Sequence, residues 1–319
     1  MKKIKVLGLS LAVISTLGFT GCGGGGGSSS SGGSSLSFPS NAVNAEPTIE
    51  NGEKVEKVVA QNQQSSYAIN AVSSSNNQNI ALTMKKITDT IKIIDIDKNT
   101  YSLNETINET ESCPSGGTMN YSGSGSETGG ATITITFDNC SQYGILMDGK
   151  ILTNMSNYNS TYDDYTTVNM TFLSDFKTSG TGVDGKITNG STTKTEFSDI
   201  TELNEANNMK MTISAISEMN GVKTGQKDAV YYFDLSSYSN PSMYQTSGKI
   251  YIDNLTSYVT YDTSYDMSQT PFVFSNSGLN SGEARYNMTD GAKVKIVAEA
   301  GEAKTYVDAD GDGIYELSE

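Results

Sequence analysis

Ala131-Thr132-Ile133-Thr134-Ile135-Thr136-Phe137 decides the fold. Apolar residues and threonines alternate with a period of two, so an extended chain turns Ile133, Ile135 and Phe137 to one face and the threonines to the other. The same period runs through Ile80–Met84, Thr90–Ile96, Thr167–Phe172, Met209–Ile216 and Val230–Leu235. It continues in Lys249–Ile252, Pro271–Phe274, Lys293–Val297 and Lys304–Val307. Turn residues separate nearly all of these runs, and no helical stretch lies between consecutive ones. Parallel βαβ crossovers therefore drop out and an antiparallel meander, buried on one face and wet on the other, is expected. Such a sheet must curl into a half-barrel, barrel or sandwich to hide its apolar face and protect its edges. The fold class is all-β, with one helix ahead of the strands. That helix is read between Asn51 and Ser75 from Val55, Val58, Val59, Ile69 and Val72, with Asn51 or Asn44 to cap it.

Composition narrows the chemistry. The 319 residues carry 21 Lys+Arg against 36 Asp+Glu, a formal net charge of −15. Nucleic-acid binding needs clustered cations and is not expected. Histidine and tryptophan are both absent. That removes the usual general base, the commonest zinc ligand and every Ser-His-Asp or Cys-His constellation. Paired carboxylates for glycoside cleavage could in principle come from Asp163, Asp164, Glu196, Asp199, Glu202 and Glu205, yet no spacing singles out a pair. The chain is read as a non-enzyme.

The amino terminus supplies the address. Lys2, Lys3 and Lys5 precede an apolar run from Val6 to Phe19, and small residues follow at Thr20 and Gly21. This is the layout of a secretory signal over residues 1–21. Phe19-Thr20-Gly21-Cys22 resembles the lipobox of bacterial lipoproteins, with Phe19 where leucine is usual. The resemblance implies that Cys22 becomes the acylated first residue and, with Gly23 rather than Asp after it, that the protein goes to the outer membrane. Residues 22–48 are read as a Gly/Ser-rich tether. A flexible coil from Cys22 to Glu46 reaches about 25–30 Å. Residues 49–319 are read as the β-rich domain.

Three further features bear on function. Cys113 and Cys140 are the cysteines left after Cys22, and in an oxidising compartment they are expected to pair. Gly149-Lys150-Ile151 and Gly248-Lys249-Ile250 open similar ten- and eleven-residue segments, echoed at Asp184-Gly185-Lys186-Ile187. Each is read as a turn followed by a strand. Near the end, Asp308-Ala309-Asp310-Gly311-Asp312-Gly313 resembles the calcium loop of EF-hand and dockerin modules. That likeness implies ligands at Asp308, Asp310, Asp312, the Ile314 carbonyl, Glu316 and Glu319. An Asp-Gly turn joining two strands, with no ion, is the preferred alternative. Tyr158, Tyr162, Tyr165, Tyr231, Tyr232, Tyr258, Tyr261 and Tyr265 could form a recognition face or serve as packing and rim residues, and packing is preferred.

The lipobox, the short helix, Cys113-Pro114-Ser115-Gly116-Gly117, Thr136-Phe137-Asp138-Asn139-Cys140 and the terminal Asp-Gly repeat together resemble a group of uncharacterised bacterial lipoproteins. No activity travels with that resemblance. The leading expectation is an outer-membrane lipoprotein, periplasmic or surface-facing, acting as a binding or structural module of the envelope. It would hold the membrane through Cys22, and its partner would be an envelope protein, a polysaccharide or a hydrophobic ligand. A carrier of lipid in a curved-sheet cavity is the first alternative, and a secreted glycosidase-like enzyme the second. The first two differ in whether the concave face is empty or filled.

Overall fold

A computed structural model describes residues 36–67, 105–126, 130–142, 145–159, 164–180, 185–200, 206–219, 221–234, 236, 242–268, 270–275, 278–299 and 302–317. The signal segment, Cys22, the runs Ile80–Met84 and Thr90–Ile96, and Glu319 lie outside these residues. In chain order the elements begin with β1 (Val43–Asn44), α1 (Ile49–Tyr67), β2 (Glu105–Ser112), β3 (Thr118–Ser126) and β4 (Gly130–Gln142). Then come β5 (Ile145–Asn159), β6 (Asp164–Phe172), β7 (Phe176–Gly180), β8 (Gly185–Ile187), β9 (Thr192–Ile200), β10 (Ala206–Met219) and β11 (Val222–Asp234). The last are β12 (Ser242–Ile252), β13 (Ser257–Tyr261), β14 (Phe272–Ser275), β15 (Gly278–Asn287), β16 (Lys293–Glu299), β17 (Glu302–Asp308) and β18 (Glu316–Leu317).

The strands form one sheet that is antiparallel except for β1, which lies parallel to β13. Neighbours in sequence are neighbours in space: β2 to β5 pair in succession, and β10, β11 and β12 do the same. Between these runs the long strands are broken. β5 pairs β6 with one half and β7 with the other, and β10 pairs β9 and β8 likewise. The breaks at Leu173–Asp175 and Thr188–Ser191 bend the sheet without interrupting the meander. β15, β16, β17 and β18 continue it to the end of the chain. The result is a strongly curved all-β sheet with a partial ring of strands rather than a closed barrel.

Alternation sorts the faces as the threonine pattern requires. Val294, Ile296 and Ala298 of β16 are buried while their neighbours face outward, and Ile135 and Phe137 of β4 behave the same way. Inward side chains from β3 to β17 merge into one core cluster. Its largest fully buried members are Tyr121, Tyr286, Phe137, Phe176 and five methionines, which are Met119, Met147, Met170, Met211 and Met243. Methionine is unbranched and adaptable, and it fills the irregular space a sharply curved sheet leaves. Two buried hydroxyls find amide partners: the Tyr286 hydroxyl donates to Gln245 Oε1 (2.8 Å), and that of Tyr231 to Gln226 Oε1.

α1 packs against β12, β15, β16 and β17, burying Val55, Val58 and Val59. Gly52 allows the close approach, because a Cβ there would sit 2.7 Å from Thr305 Cγ2. The helix cap is Thr48 rather than Asn51 or Asn44: its hydroxyl accepts the Asn51 backbone N–H at 3.2 Å. The packed region also starts upstream of residue 49, where the sequence reading opened the domain. Leu36, Phe38 and Ala42 lie on the sheet, and Ala45 is fully buried.

Cys113 and Cys140 are joined by a disulfide with Cα atoms 5.4 Å apart. The bond links the end of β2 to a register shift in β4, skipping β3. Gly185 opens β8, as expected, but the other two Gly-Lys-Ile segments differ from expectation. Gly149 and Gly248 lie within β5 and β12, at φ of 144° and 117°. They mark irregularities in long strands, and no turn precedes the lysine. A Cβ on Gly248 would come within 2.4 Å of Ala229 Cα, so glycine is required there by the close passage of β11.

Candidate functional site

The carboxyl-terminal Asp loop is built on the end of β17. Asp308 is only 2% exposed, and its two carboxylate oxygens each accept a backbone N–H, from Gly311 at 2.9 Å and Gly313 at 3.1 Å. Asp312 N–H donates to Asp310 Oδ1 at 3.2 Å, and Ile314 N–H to Asp312 Oδ1 at 2.7 Å. One carboxylate oxygen from each of Asp308, Asp310 and Asp312 lies within 4.8 Å of the other two. An all-oxygen donor set of this kind suits a hard cation such as calcium. Backbone N–H groups of the loop itself also serve both oxygens of Asp308 and one each of Asp310 and Asp312. Glu316 sits in β18 opposite Val307 and points to solvent, and the Ile314 side chain is 65% exposed. Asp308, Asp310 and Asp312 are thus brought together, Glu316 is not among them, and Glu319 lies outside the described residues.

Behind the loop, Tyr315 is held between two cations, 5.5 Å from Arg285 Cζ and 4.6 Å from Lys295 Nζ. Burial raises its phenol above the ordinary value, with Arg285 pulling the other way. Lys293, which faces Asp308 across β16 and β17, spends its ammonium on Asp262 at 2.7 Å. Burial alone would raise the Asp262 carboxyl. The Lys293 bond and the Ser264 hydroxyl and N–H outweigh that and hold it below the usual carboxylate range.

A second feature is absent from the sequence reading. A cleft of about 540 Å³ opens beside β5, β7, β8 and β10, lined by Asp148, Lys177, Lys186, Glu218, Thr178 and Ser179 among others. Strand register sets four of these in a row, with Asp148 opposite Lys177, Lys177 opposite Lys186, and Lys186 opposite Glu218. Lys186 lies 3.4 Å from Glu218 and 3.5 Å from Asp175. Burial works against its charge, but the two carboxylates prevail and raise its pKa. The cleft offers charges of both signs and hydroxyls, which suits an ionic or peptide-like group. Its members come from positions 148 to 218, and only the bent pairing of β5 and β10 unites them.

The other sequence candidates disperse. Tyr231 and Tyr261 are buried in the core, whereas Tyr232 and Tyr258 face outward and Tyr265 lies under Arg285, 3.8 Å from its Cζ. They do not make one recognition face. Glu196 pairs with Lys194 (2.6 Å) and Lys210 (3.6 Å), which overcome its partial burial and lower its pKa. A carboxylate so paired is a poor general acid. Asp163, Glu202, Glu205, Tyr162 and the side chains of Asp164, Asp199 and Tyr165 lie outside the described residues. No protein family, curated protein or solved structure matches the chain.

Proposed function

We propose that this chain is a non-enzymatic, lipid-anchored lipoprotein of the bacterial outer membrane, serving the envelope as a binding or structural module. The observation that carries the choice over a lipid carrier is the filled interior among the described residues. Tyr121, Phe137, Phe176, Tyr286 and the buried methionines occupy the concave side of the sheet, and α1 covers β15 to β17. A carrier would keep that space for its cargo. The lipobox at Phe19–Cys22 supports the anchor, and the charged cleft at Asp148, Lys177, Lys186 and Glu218 offers a place for a polar partner. Calcium, if held at Asp308, Asp310 and Asp312, would stiffen the terminal hairpin.

The test is an intact native mass of the chain purified from membranes. Acyl mass on Cys22 that disappears in Cys22→Ser, with no further bound lipid, is the expected result. A stoichiometric lipid retained by the Cys22→Ser chain would replace this reading with the carrier.

A further inference from the structure

The outer face of the sheet carries a second, smaller apolar cluster of Ile216, Tyr251 and Leu255. It is covered by the chain's own segment at Leu36, Phe38 and Ala42, with the Phe38 ring 4.7 Å from that of Tyr251. This strap ends in β1, whose Val43 N–H bonds the Thr256 carbonyl at 3.1 Å. Two lysines flank it. Lys227 lies 5.9 Å from the Phe38 ring and Lys249 lies 3.8 Å from the Tyr258 ring. They face each other directly across β11 and β12. Like charges so placed repel, and among the described residues neither lysine has a carboxylate within ion-pair distance. Asp228 is exposed beside Lys227 and acts on Tyr251, while Asp253, in the turn that carries Leu255, is taken by Lys54 at 2.6 Å. Two opposed cations held over aromatic rings are unusual in a chain of net charge −15. Together they present a site complementary to phosphate.

Where the chain leads next identifies the source of that phosphate. Leu36 is 14 residues from Cys22, and a Gly/Ser coil of that length reaches about 20 Å. The strap therefore enters the sheet close to any bilayer that holds Cys22. Lys223 shares the face of β11 that carries Lys227, and its N–H bonds Asn254 in the turn that leads to Thr256. Cations beside tyrosine are what a headgroup layer accepts.

We propose that the strap face of the sheet, with Lys227 and Lys249 against lipid phosphate and Lys223 beside them, is the surface on which the domain rests on its own membrane. The inference depends on acylation of Cys22. It adds an orientation: the face that carries the strap is turned toward the bilayer.

The acylated full chain, its modification verified by intact mass, is placed in vesicles of phosphatidylethanolamine and phosphatidylglycerol and, separately, in neutral detergent micelles. An acetylating reagent then reads each lysine. Lys227 and Lys249 should react about fivefold more slowly in vesicles, while Lys304, which pairs with Glu299 near the β16–β17 turn, keeps its rate. In the double variant Lys227→Gln, Lys249→Gln, which leaves the core untouched, Lys223 should recover its micelle rate in vesicles. Equal rates at Lys227 and Lys249 in the two media, or equal slowing at Lys304, overturns this surface while leaving the anchor intact. An unmodified Cys22 overturns the anchor, and this surface with it.

Discussion

Reducing the Cys113–Cys140 bond should destabilise the protein by about 3.5 kcal/mol. The bond closes a loop of 27 residues by sequence separation. In the chain-entropy relation such a loop restricts the unfolded chain by about 12 cal/mol/K, or about 3.5 kcal/mol at 25 °C. The native geometry adds a condition. The bridge ties the β2–β3 turn to β4, and backbone bonds from Ser115 N to Ser141 O (2.9 Å) and Ser141 N to Gly116 O (2.7 Å) hold the same turn without it. Native structure therefore survives reduction, and the loss falls on the unfolded state. Urea melts followed by far-UV circular dichroism, with and without reductant, measure the difference. A slope of about 3 kcal/mol/M places the midpoint about 1 M lower after reduction. An unchanged midpoint with an unchanged slope would refute the reasoning. It would mean that β2 to β4 open independently of the rest, so that the bond no longer constrains the global transition.

Gly248→Ala forces a Cβ to within 2.4 Å of Ala229 Cα at a φ of 117°, and should cost about 3 kcal/mol or more in the same melts. Lys293→Met strands the Asp262 carboxylate, whose side chain is 5% exposed, and should cost about 2 kcal/mol at pH 7. Because the folded Asp262 pKa is depressed, the pair's contribution is complete above the ordinary carboxylate value and is lost as pH falls through the folded one. The wild-type advantage over Lys293→Met should therefore shrink below about pH 4; a constant difference down to acid unfolding would contradict the assignment. Asp308→Ala removes the acceptors of the Gly311 and Gly313 N–H groups and should cost about 2 kcal/mol. The loss should be equal in calcium and in chelator, and a clearly larger loss in calcium would mean the loop holds the ion.

The strands of this protein were legible wherever apolar and polar residues alternate strongly. Ala131–Phe137, Lys293–Val297 and Lys304–Val307 fall inside β4, β16 and β17, because period two needs no partner to be recognised. β3 was not legible: in Thr118–Ser126 only Met119 and Tyr121 mark a buried face, the rest is Thr, Asn, Ser and Gly, and the strand is held by its neighbours on either side. A Cβ at Gly123 would meet the Thr132 carbonyl at 2.1 Å, a constraint that exists only once β4 is in place. The disulfide partners and the converging Asp308, Asp310 and Asp312 followed from local spacing and residue chemistry. The row of Asp148, Lys177, Lys186 and Glu218, the apposition of Lys227 and Lys249, and the strap over Tyr251 did not. Local sequence determines which face a side chain takes, since that depends on the period of its own strand. Which charges meet depends on register between strands far apart in the chain, and that is decided by the turns, the breaks in β5 and β10 pairing, and the packing of the curved core.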